Sequence, residues 1–198
     1  MAIEKYYRFD AIKIKSGNRG GRMFSAQFPT GSAKAVHNGY LGYLGGYVVG
    51  ETEIRELLDP TTDLIKNEIP VIVHKPEINY KEESRTDYNL GEFVNPSGRP
   101  TRTYTLEKYD EGSWSADFFN ITDKVNGKIE VGDIFAIQAV STEGAQLKYV
   151  TTAPLNTVAK CYFKVTGVQN SFIPTYVHSD GTRFPSAYQM VDLEIVIQ

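Results

Sequence analysis

The residues that could do chemistry are few and scattered. Asn38 to Gly50 reads Asn-Gly-Tyr-Leu-Gly-Tyr-Leu-Gly-Gly-Tyr-Val-Val-Gly. A glycine-rich run can cradle phosphate when it ends in Lys-Ser or Lys-Thr at the opening of a helix. Here Gly50 leads instead into Glu51-Thr52-Glu53, whose negative charge repels phosphate. Glu51 and Glu53 have the spacing of a carboxylate pair, but acids alternating along a strand or short helix usually form a solvated face. His37, His74 and His178 are far apart, and none has a companion His or Cys at metal-ligand spacing. The single cysteine, Cys161, lies in Val-Ala-Lys-Cys-Tyr-Phe-Lys-Val and reads as a small buried hydrophobe in a strand. There is no G-x-S-x-G elbow, H-E-x-x-H pair, C-x-x-C pair or Walker sequence. A glycosidase's two carboxylates need not be close in sequence, so 24 acidic residues give that hypothesis no handle. The expectation is a protein that is not an enzyme, with no catalytic residue, no cofactor and no metal.

The elements that must position these residues are strands. The chain has 198 residues, enough to bury a core without disulfides or metals. Ile69 to His74 is a β-branched run ended by Pro76. Thr101, Thr103 and Thr105 alternate with Arg102, Tyr104 and Leu106, which gives a strand with two distinct faces. Further strands are expected at 131–140, 147–151, 160–168 and 190–197, separated by turns such as Asn126-Gly127 and Ser179-Asp180-Gly181. Trp114 beside Phe118 and Phe119 predicts an aromatic core cluster. Only Glu51 to Leu58 looks modestly helical, and Asp59-Pro60 ends it. The expected fold is mainly β: a sandwich or barrel of short antiparallel strands with an extended N-terminal arm.

Charge divides the chain. Residues 1–36 carry seven Lys and Arg against Glu4 and Asp10, a balance of +5. The whole chain stands at −3, which leaves residues 37–198 at −8. Turn-rich composition at 16–22 and 29–32 suggests a basic arm at 1–36 and a β-rich body at 37–198. A basic arm on an acidic body suits docking on an acidic neighbour. An acidic body lacks the clustered cations of a nucleic-acid surface, so no specific nucleic-acid binding is expected. No stretch approaches the roughly 18 apolar residues of a membrane helix, so no membrane association is expected. Residues 1–10 contain no apolar leader core.

A resemblance supplies a role. Asn38-Gly39-Tyr40-Leu41-Gly42-Tyr43-Leu44-Gly45-Gly46-Tyr47 begins an ordered set of segments. Gly50-Glu51, Glu53-Ile54-Arg55-Glu56-Leu57, Pro60-Thr61-Thr62 and Pro70 to Glu77 follow, then Asn95 to Arg102 and Val131 to Phe135. This order, spanning about half the chain, resembles bacteriophage capsid decoration proteins, also called cement or auxiliary head proteins. The resemblance implies a virion protein on the capsid surface, present in the host cytoplasm during assembly. Its partner would be the major capsid protein, and it would associate with itself as a homo-oligomer. The partner-binding residues would then be Tyr6, Tyr7, Arg8, Phe9, Arg19, Arg22, Met23, Phe24 and Phe28 of the arm, with Tyr40, Tyr43 and Tyr47 of the glycine-rich strand. Two other roles fit the same residues. One is another particle part: tail tube, head–tail connector or head-fibre base. The other is a carbohydrate-binding β-sandwich using exposed Trp114, Tyr104 and Tyr109.

Overall fold

The computed structural model describes residues 9–13, 23–29, 36–74, 94–95, 98–139, 146–172 and 187–198. Among them the chain is mainly β, built from a closed five-stranded barrel, an open seven-stranded sheet and a small two-stranded pair. The barrel strands are β2 (Met23–Gln27), β4 (Leu41–Tyr47), β5 (Ile54–Leu58), β6 (Val71–Val73) and β8 (Thr101–Thr105). They close in the order β2-β5-β4-β6-β8, with β2 and β5 parallel and the other pairs antiparallel. The sheet runs β1 (Phe9–Lys13), β9 (Glu111–Ser115), β14 (Ala187–Ile197), β13 (Cys161–Phe172), β11 (Ile134–Ile137), β12 (Leu147–Val150) and β10 (Phe119–Asn120). β3 (Val36–His37) and β7 (Val94–Asn95) form the small pair.

Two features depart from a set of short antiparallel strands. β10 and β12 are parallel, as are β2 and β5. β13 and β14 have 12 and 11 residues and pair along their whole length around a bulge between Val165 and Gly167. Glycine there leaves room for Asp192, because a Cβ on Gly167 would lie 2.6 Å from a carboxylate oxygen and would displace that side chain.

Strand periodicity explains how barrel and sheet join. Along β4, Leu41 and Tyr43 turn outward to the sheet, while Gly42 and Leu44 turn inward. A Cβ on Gly42 would meet Leu57 Cδ1 at 2.8 Å, so the barrel interior closes only around glycine there. Ile72 and Tyr104 also turn outward and join Leu41 in one core with Trp114, Phe118, Phe135, Phe163, Val191, Leu193 and Ile195 of the sheet side. Ala26, Phe28, Val36, Tyr40, Leu57, Val71 and Val73 form a second core within the barrel. Trp114 is fully buried and stacks on Phe118 at 5.9 Å between ring centroids, as the aromatic clustering predicts.

The seam is also hydrogen-bonded. Trp114 Nε1 donates to the Gly39 carbonyl at 3.0 Å. The Gln146 amide takes the place of a strand: it accepts from Leu41 N at 2.8 Å and donates to Leu41 O at 2.9 Å. These bonds satisfy backbone groups that burial would otherwise leave costly.

The helical expectation needs correction. Ile54–Leu58 is a barrel strand, because pairing with both β2 and β4 overrides its weak helical pattern. The helix, α1 (Thr62–Asn67), comes after Pro60. Thr61 caps it by accepting from Leu64 N at 3.3 Å, and Asp63 and Lys66 sit at the ends that favour their charges. The backbone N–H of Lys160 donates to the Ile65 carbonyl at 3.0 Å, and that of Gln198 donates to Lys160 O at 3.0 Å. The helix thereby ties the start of β13 and the end of β14 to the barrel.

The arm expected at 1–36 contains two strands of the body. β1 adds to the edge of the sheet against β9, and β2 is a barrel stave whose Ala26 is fully buried.

Candidate partner-binding site

The expected anchor residues separate into three groups. Tyr6, Tyr7, Arg8, Arg19 and Arg22 lie outside the described residues, and Phe9 is described through its backbone, opposite Trp114. Phe28, Tyr40 and Tyr43, expected to face a partner, are buried instead. Phe28 and Tyr40 meet edge to face at 5.8 Å, and the Tyr40 hydroxyl donates to Asp59 Oδ1. Burial, reinforced by the Asp59 charge, holds the Tyr40 phenol in its protonated form. Burial does the same to Tyr43, and it pushes the Cys161 thiol up to about 12. Met23, Phe24 and Tyr47 form the third group, and all three lie around one end of the barrel. Met23 and Tyr47 are 45% and 59% exposed, and Phe24 is half-buried.

That end is open. A cavity of about 610 Å³ is lined there by Phe24 of β2, Leu44 of β4, Arg55 of β5, Val71 of β6 and Thr105 of β8. Each of the five staves thus contributes one residue. Phe24, Arg55, Val71 and Thr105 lie two positions from the buried residues Ala26, Leu57, Val73 and Thr103 on the same strands. A period of two puts them on the inward face. The cavity is therefore the mouth of the barrel interior. Asn67, Glu68 and Ile69, together with Lys160, Ile197 and Gln198, complete its rim.

No family model, curated protein or solved structure matches this chain. The site is therefore read from its own geometry. Arg55 Nε donates to the Gly45 carbonyl at 3.0 Å, and the guanidinium lies 5.5 Å from the Tyr47 ring centroid. These contacts fix a cation at the mouth. Lys160 Nζ donates to Asn156 Oδ1 at 3.2 Å. Neither cation forms an ion pair among the described residues.

The other candidate residues assemble nothing comparable. Glu51 and Glu53 are exposed on the β4–β5 turn. Among the described residues no cluster of three His, Cys, Asp or Glu could hold a metal, and His178 is outside them. Lys124 is held between Asp133 and Glu130 under the Tyr149 ring, a clasp that orders the loop before β11. Trp114 and Tyr104 are buried, so they offer no platform for a sugar, and only Tyr109 of that expected trio is exposed.

The residues at the mouth that sequence reading missed are Leu44, Arg55, Val71, Thr105, Lys160 and Ile197. Their signal was the inward alternation of each strand. Reading 51–58 as helical hid it at Arg55, and nothing local to Lys160 or Ile197 announces that they fold over the barrel.

Proposed function

We propose that this protein is a non-enzymatic structural component of a bacteriophage particle that binds the outer capsid lattice and braces the head. The observation that carries the reading is the division within the segment behind the resemblance. Its first half, Asn38 to Tyr43, is buried and welds barrel to sheet, whereas Tyr47 and Val49 of its second half are exposed. A binding protein needs this combination of a rigid scaffold and projecting apolar side chains. The charge division supports the same reading: a +5 segment at 1–36 joins an acidic body and could reach an acidic capsid surface. The capsid partner would be the major capsid protein, with copies of this chain arranged by the lattice as a homo-oligomer.

A reconstruction of particles carrying the chain tests this directly. The expected result is density for the β body on the outer face, repeated at every equivalent lattice position. Density confined to stacked tail rings, or no density on the particle, would refute it. A truncation of residues 1–36 is the wrong probe, because it removes the barrel stave β2. Reversing Arg8, Arg19 and Arg22 to Glu leaves the staves in place and should lower capsid occupancy, most at low salt and less as salt is raised.

A further inference from the structure

We propose that the open mouth of the barrel is a peptide socket, which takes an apolar side chain flanked by carboxylates from an acidic segment of a partner protein. The proposal stands on the mouth's own geometry and does not require the capsid reading.

Three observations converge. The first is shape. A cavity of about 610 Å³ falls within the range of about 300–1,000 Å³ typical of ligand pockets, which often form in the mouths of β-barrels. The second is apolar surface within a mixed lining. Phe24, Leu44 and Ile197 are half-buried and supply apolar surface, and Ile69 at the edge is 40% exposed. Leaving these groups in water is unfavourable, and an inserted side chain would relieve it. The third is charge. Arg55 and Lys160 face the cavity, and Glu68 is the sole carboxylate among its lining side chains.

Neither cation is paired with a carboxylate among the described residues. Lys124, by contrast, is held by two carboxylates and is only 7% exposed. Arg55 is oriented by a neutral carbonyl and an aromatic ring, and no carboxylate pairs with it among the described residues. A carboxylate approaching the mouth would meet a fixed, planar donor. Glu68 sets the opposite sign on the same rim, which makes the prediction specific to each residue.

Fluorescence anisotropy on the full chain tests this with a labelled, end-blocked Glu-Asp-Phe-Leu-Asp-Glu peptide. The controls are the same peptide with every acid changed to its amide, and with every acid changed to Lys. The acidic peptide should bind at least tenfold more tightly than either control. Arg55→Gln and Lys160→Gln should each weaken it by roughly fivefold, and Glu68→Gln should strengthen it by a similar factor. Amide shift changes should centre on Phe24, Val71, Thr105 and Ile197. Urea unfolding of each variant checks that the barrel persists. Equal binding of the three peptides, variant effects of the wrong sign or shift changes elsewhere would each overturn the proposal. Self-association in sedimentation that closes the mouth to peptide would overturn it too, because the occupant would then be a second copy.

Discussion

The two ends of the barrel are built from the same strands and treated in opposite ways. One end is sealed. Asn95 Nδ2 donates to Val36 O and to Asn38 Oδ1, both at 3.2 Å, and Thr101 Oγ1 donates to Asn95 Oδ1 at 2.7 Å. The β3–β7 pair carries this network, and Phe28 packs on Tyr40 beside it. Gly39 turns there with φ +87°, and its N–H donates to Val73 O at 2.7 Å. The other end has no such lid among the described residues and presents Phe24, Arg55 and Thr105 around a cavity. A barrel needs its interior filled, but it does not need both ends capped. The sealed end carries the polar network, so stability should concentrate there and leave the open end available for binding.

Substitutions can break that contrast. Asn95→Leu withdraws a buried partner from three polar groups at the sealed end, and should cost roughly 3 kcal/mol in urea unfolding. If the loss is no larger than that of a surface substitution, the network does not hold that end together.

Alkaline pH should attack the sealed end and the seam next. Cys161 titrates at about 12 in the folded chain against an ordinary value of 9.0, and burial raises Tyr40 and Tyr43 as well. A folded pKa above the unfolded one means that the native state holds its proton more tightly. That stability is fully present below about pH 9 and is lost as pH rises towards the folded values. Cys161 alone should remove about 2 kcal/mol by pH 10.5. A Cys161→Ala variant should flatten part of that slope, and unfolding free energies that stay level from pH 8 to 10.5 would contradict the assignment.

The smallest effect belongs to the open end. Arg55→Gln loses a bond to Gly45 and a contact with Tyr47, both half-exposed, and should shift unfolding by less than about 1 kcal/mol. A larger loss would make Arg55 a fold residue and erase the distinction between the ends.

Much of this architecture was legible in the residues. Alternation in 101–105, the β-branched run at 69–74 and the Trp114–Phe118–Phe119 cluster each predicted what formed, because period-two burial is a local property. The strand at 54–58 was read as helical, and the capped helix at 62–67 was not anticipated. A five-residue segment has too little periodicity of its own, and two flanking strands decided the matter. Tyr40 and Tyr43 show the same limit. Tyr suits both a core and an interface, and the sequence cannot say which.

By itself, then, the sequence determined that this chain is β-rich, how its charge divides and which strand residues share a face, since these depend on neighbours along the chain. Only the tertiary structure decided that five strands close into a barrel, that its outer face lies on a second sheet, and that one end stays open among the described residues. Those outcomes rest on contacts between residues as distant as Leu41 and Gln146, or Ile65 and Lys160. No local pattern encodes such contacts, because their stability comes from groups that meet only once the chain has folded.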